Sequence, residues 1–164
     1  MARPILNINQ DFEIYFETKV PAILQTISGN EQAKWGIMTS HHMLEHLAMI
    51  LEIPLGKIAI TLITPEEDLP KVRAFLFSEY GLTQNFKFPL LPKDDVLPLK
   101  TPNIETAKIA LQNTIQQFLE SINEADFTMM LHPFFGKLNR EEWLLFQFKH
   151  FSHHFMQFGL IQSN

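Results

Sequence analysis

Apolar residues recur at helical spacing through most of the chain. From about Asp11 to Ile27, Phe12, Tyr15, Phe16, Val20, Ile23, Leu24 and Ile27 fall on one side, the stripe of an amphipathic helix. Pro21 interrupts that stripe, so the pattern predicts a kink or two pieces. Ser28-Gly29-Asn30 ends it. A second stripe runs from about Thr39 to Ile53 and stops near Pro54, with Thr39 or Ser40 as its cap. A third runs from Ile104 through Ala107, Leu111, Thr114, Ile115 and Phe118 to Ile122. The last starts at Asn139, with Glu142 at N3, and closes at Gly159, a suitable C′ residue.

Between the second and third stripes the pattern weakens. Lys57-Ile-Ala-Ile-Thr-Leu-Ile-Thr64 has the β-branched content of a strand but no evident partner strand. Thr64-Pro65-Glu66-Glu67 reads as a helix start, with Thr64 as N-cap, Pro65 at N1 and Glu67 closing a capping box. That short helix continues to about Glu79. The proline-bearing segment from Gly81 to Thr101 is irregular, and so long a loop is uncommon unless it packs as a lid or wrap. Asp126 to Leu138 reads as a connector. The sum is an all-α fold in one domain, residues 1–164: a four-helix bundle with a long crossover between the second and third main helices and one short extra helix. Bundles of this kind build sites from side chains on facing helices.

Seven histidines change the picture. They fall in three short segments: His41, His42 and His46; His132; His150, His153 and His154. His42/His46 and His150/His154 are i,i+4 pairs, the spacing that shares a helix face. On the last helix Trp143, Gln147, His150, His154 and Gln157 share a strip beside the core stripe of Leu144, Phe148, Phe151, Phe155 and Phe158. Lys149 and Ser152 point away. On the second helix His42 and His46 share a strip with Met49 and Ile53, and His41 falls with Glu45 on the wet side. An i,i+4 histidine pair plus one imidazole from another helix makes three neutral nitrogen ligands, suited to Zn²⁺, Ni²⁺ or Fe²⁺ with open positions for water or substrate. His150, His154 and His46 are the candidates, with His42 as an alternate ligand or a neighbour. His132 either holds a turn ahead of Pro133 or approaches the site. His41 and His153 read as exposed or as outer neighbours, and Trp35 as a core anchor.

Composition narrows the function. The formal net charge is −5 and there is no Lys/Arg cluster, against a nucleic-acid partner. With no cysteine, disulfides, thiolate metal sites and a cysteine nucleophile are excluded. The N-terminal residues lack the pattern of a signal peptide, and no apolar run approaches the length of a membrane span. A cytoplasmic protein without membrane attachment is the expectation.

Trp35-Gly-Ile-Met-Thr-Ser-His-His-Met-Leu-Glu-His-Leu47 and the stretch from His132-Pro-Phe-Phe-Gly136 to Gly159 resemble the DinB-like (YfiT-type) superfamily of metal-binding four-helix bundles. The resemblance implies an up-down-down-up bundle and a divalent metal held by His46, His150 and His154. It implies a metal-dependent transferase or isomerase using a low-molecular-weight thiol, or a hydrolase, acting on a small molecule. His42 and His132 are then the candidate acid/base residues beside the metal, and a homodimer is expected by analogy. The rival expectation is a non-catalytic metal- or small-ligand-binding helical module. The Gly81–Thr101 segment departs from the simplest members and leaves the substrate class open.

Overall fold

Each long apolar stripe folds as a helix, and local chemistry sets the ends. The computed structural model describes residues 3–163; positions 1, 2 and 164 of the expected domain lie outside them. The first stripe forms α1 (Phe12–Ile14), a π-helical turn (Tyr15–Lys19) and α2 (Val20–Thr26). Pro21 has no N–H and its ring crowds the carbonyl four residues back. The turn before it widens, and the Val20 N–H bonds the Tyr15 carbonyl. The expected interruption is thus a π-turn just upstream of the proline.

The second stripe is α3 (Ser40–Leu51), capped by Thr39. The third is α5 (Ile104–Asn123), and the last is α6 (Arg140–Gln157), with Asn139 and Glu142 forming the expected capping box. The short helix starts differently from its expected form. Thr64 does not cap it. A 3-10 turn (Glu66–Asp68) leads into α4 (Leu69–Leu76), without a side-chain cap on either. Residues 57–64 form no strand, although the Ile63 N–H bonds the Pro133 carbonyl at 2.8 Å.

The fold is mostly helical, but not wholly so. Within the expected connector, β1 (Met130–His132) and β2 (Gly136–Leu138) pair antiparallel, with His132 opposite Gly136. Gly136 takes φ +76, a conformation that costs glycine little. α5 packs on α3, while α6 touches α1, α3, α4 and β2. Arg73 on α4 joins these parts, donating to the carbonyls of Phe135 and Lys137 and pairing with Glu142 at the start of α6.

The crossover is tied down at both ends. Its N-terminal part is tied to the chain start, where Leu6 N–H bonds the Glu79 carbonyl and Gly81 N–H the Pro4 carbonyl. At its other end Glu45 accepts from the backbone N–H of Lys100 and Thr101 and from the Thr101 hydroxyl, and His41 Nε2 lies 2.7 Å from that hydroxyl. The expected wet-side pair is therefore a clamp on the crossover. Between the two ties, Phe86 and Phe88 lie edge-on against Phe134 of the hairpin turn. No helix among the described residues is long and apolar enough to cross a membrane.

Candidate metal centre

α3 and α6 bring three imidazoles together. His46 and His150 have their Nε2 atoms 2.9 Å apart, and His150 and His154 theirs 3.1 Å apart. All three side chains are buried. Among the described residues they are the group of histidines and acids whose ligand atoms converge closely enough to hold an ion. Both separations are near the roughly 3.3 Å edge that a tetrahedral ion with about 2.05 Å bonds imposes.

The state of each ring follows from its surroundings. Burial pushes the His46 imidazole down to about 4, aided by neighbouring His153. Burial first, and the facing imidazoles second, hold His150 and His154 well below the ordinary range. All three are neutral near pH 7. The His154 tautomer is also set. Its Nδ1–H donates to Gln157 Oε1 at 2.7 Å, so its Nε2 lone pair faces the other two rings. Gln157 is held in turn by its Nε2–H, which donates to the Trp35 carbonyl at 2.8 Å. A side chain that fixes the far nitrogen of a metal-binding histidine is a regular feature of such sites. Among the described residues, the Nδ1 atoms of His46 and His150 have no protein partner.

Gly36 explains the Trp-Gly pair of the sequence. It has φ +78, and a Cβ there would lie 2.9 Å from Gln157 Nε2. Only glycine lets the amide reach the Trp35 carbonyl unobstructed. Trp35 itself is half-buried and stands edge-on to His153, 5.5 Å between ring centres. It packs against the core, as expected of an anchor, and also walls the smaller of two cavities beside the triad.

The remaining histidines are distributed by their hydrogen bonds. His42 Nδ1 accepts from the Thr39 backbone N–H and lies 2.7 Å from the Thr39 hydroxyl, completing the α3 cap. His42 is outside the converging cluster, but its ring lines a cavity that His46 and His154 also line. His132 Nδ1 accepts from the backbone N–H of Phe134 and Phe135, and burial pushes the ring down to about 3. It holds the turn, and its Nε2 carries the proton, with no protein partner among the described residues. Such a ring can donate a hydrogen bond but is a poor base near neutral pH. His153, expected to be an exposed or outer neighbour, lines both of the cavities that border the triad; burial takes it to about 4.

Those cavities flank the triad. The smaller, about 170 Å³, is bounded by α3, the Trp35–Met38 turn and the crossover. The larger, about 640 Å³, is bounded by α4, the hairpin and the crossover. His46 and His154 belong to both walls, and His150 to the larger.

Fold and site together define a mostly helical protein with a buried three-histidine cluster able to hold a metal ion. Residues 92–159 match the profile of a family described as "Protein of unknown function (DUF1569)". The match takes in α5, the hairpin and α6, with His132, His150 and His154; α3 and His46 lie before it. No curated protein and no solved structure matches the chain.

Proposed function

We propose that this protein is a divalent-metal-dependent enzyme of the DinB-like kind, with Zn, Ni or Fe held by His46, His150 and His154. The observation that carries the reading is the convergence of three buried, neutral Nε2 atoms. A proton on His150 Nε2 serves one neighbour well and leaves the other lone pair poorly met; a divalent cation between them accepts all three. Three ligands with no fourth acid or histidine in the cluster, among the described residues, leave positions open for a reactant. That favours a catalytic site over a closed structural one, and so over the binding-module reading.

A metal there supplies Lewis-acid chemistry, polarising a substrate carbonyl or lowering the pKa of a bound thiol or water. The chain's own groups do the rest. Gln157 orients His154, the Nε2–H of His132 offers a hydrogen bond at the cavity wall, and His42 stands at the smaller cavity. The reaction we propose is a thiol-dependent S-transfer or isomerisation, or a hydrolysis, of a small molecule. The chain has no cysteine, so the thiol is a cosubstrate. The arrangement we propose is the up-down-down-up bundle with α1–α2, α3, α5 and α6 as its main helices, paired as a homodimer.

Metal content by plasma mass spectrometry tests the centre. About one equivalent of Zn, Ni or Fe per chain is expected, lost in His46→Ala and in His154→Ala. A wild-type protein that takes up no metal on reconstitution would overturn the reading. So would turnover of thiol–acceptor pairs or esters that is unchanged in His46→Ala.

A further inference from the structure

The two cavities beside the triad differ in chemistry. The larger is walled by Val72, Phe75, Phe88, Phe134, Phe135 and Phe146. Phe146 stacks nearly parallel on His150, with 10° between the rings, so the aromatic wall runs up to the triad. The charged groups lining this chamber are Arg3, Lys71 and Asp68. Neither Arg3 nor Lys71 is in an ion pair among the described residues. The Arg3 guanidinium lies over the Phe75 ring at 4.6 Å, and the Lys149 ammonium lies 4.8 Å from the same ring. Asp68 is likewise outside any ion pair among the described residues, so the lining carries two cations against one carboxylate, on a chain whose net charge is −5. Near the hairpin the wall includes His132, whose buried Nε2–H lacks a protein partner among the described residues.

We propose that the large chamber binds a ring-bearing apolar molecule with one anionic group, its rings among the phenylalanines and its anion at Arg3 and Lys71. Its volume lies within the usual range for small-molecule sites. Aromatic walls favour a flat apolar body, because offset and edge-to-face contacts add to area burial. Two cations against the single carboxylate of Asp68 leave an excess positive charge on the wall, which favours a negative end over a neutral or positive one. The smaller cavity shares His46, His153 and His154 with the larger and adds His42, Glu45 and Lys100; it is left to a second reactant. The proposal rests on the metal-enzyme reading only in making the triad the meeting point of the two chambers.

The test uses the full chain, metal-loaded and metal-free, with two fluorescent probes. One is 1-anilinonaphthalene-8-sulfonate; the other is N-phenyl-1-naphthylamine, which lacks the sulfonate. We expect one equivalent of the sulfonate probe per chain, bound about tenfold more tightly than the neutral one. Arg3→Ala with Lys71→Ala removes that preference and leaves the neutral probe unchanged. Val72→Trp fills the chamber and displaces both probes. Thr83→Trp, at an exposed position on the chamber wall, does the same if the first variant fails to fold by circular dichroism. Equal affinity for the two probes, absence of a one-to-one complex, or binding untouched by the folded tryptophan variants would overturn the proposal. Metal uptake measured beside probe binding separates the two readings. Probe binding by a wild-type protein that takes up no metal on reconstitution leaves the chamber standing while the metal enzyme falls. Metal uptake without probe binding does the reverse.

Discussion

Gln157 shows how much of the site depends on one side chain outside the triad. Its amide bonds His154 Nδ1 and the Trp35 carbonyl, and Gly36 leaves the room. Outer groups of this kind typically change metal affinity by about 10- to 100-fold. Gln157→Leu is therefore expected to weaken metal binding by that order in a chelator competition, with the thermal midpoint little changed. Gly36→Ala is expected to act in the same direction, because its methyl pushes the amide away and its φ disfavours a side chain. Wild-type affinity in Gln157→Leu would show that the amide does not orient the ring. The three histidines were legible from spacing and helix face. The link between Gly36 and Gln157 was not, because it joins residues at opposite ends of the chain by packing alone.

Among the elements, α6 departs most from a surface helix. A helical wheel assumes one buried side, and on that assumption Lys149 and Ser152 point to solvent. Both are buried, as α6 is enclosed by α1, α3, α4 and the hairpin. Lys149 is accommodated because its ammonium donates to the carbonyls of Phe75, Ser78 and Tyr80, at 3.0, 2.6 and 2.9 Å. Burial, with Arg3 nearby, pushes its pKa down to about 8, so it stays mostly charged at pH 7. The bonds tie the end of α4 and the start of the crossover to α6. Lys149→Met keeps the stem but takes the donor from the Ser78 and Tyr80 carbonyls, while that of Phe75 still accepts from Ser78. A loss of about 3 kcal/mol is expected, read as a lower urea midpoint at unchanged slope. An unchanged midpoint would mean that water replaces the ammonium freely.

For the whole molecule, the neutral buried imidazoles set an acid limit. Burial takes His46 and His153 to about 4 and His132 to about 3, below the roughly 6.5 of an unfolded histidine. Below that value the unfolded chain binds more protons than the folded one. The contribution to stability is present above about pH 6.5 and is lost as pH falls toward 4, and further toward 3 for His132. At pH 5 each of the three costs up to about 2 kcal/mol, against a total stability of about 5–15 kcal/mol for a typical domain. Metal-free protein is expected to show a steep fall in urea midpoint between pH 7.5 and 5. A flat profile would mean that these rings are already protonated or solvated in the folded state.

The sequence by itself determined the helices, since each long stripe carries its own periodicity, and most carry caps, within a few neighbouring residues. It determined the histidine pairs for the same reason: i,i+4 spacing is local geometry. Tertiary structure decided the hairpin inside the connector, the burial of Lys149 and the clamp of Glu45 on Thr101. It also decided that His46 meets His150 and that two unlike cavities meet at the triad. These depend on which faces come together across long stretches of chain, and no local pattern encodes that.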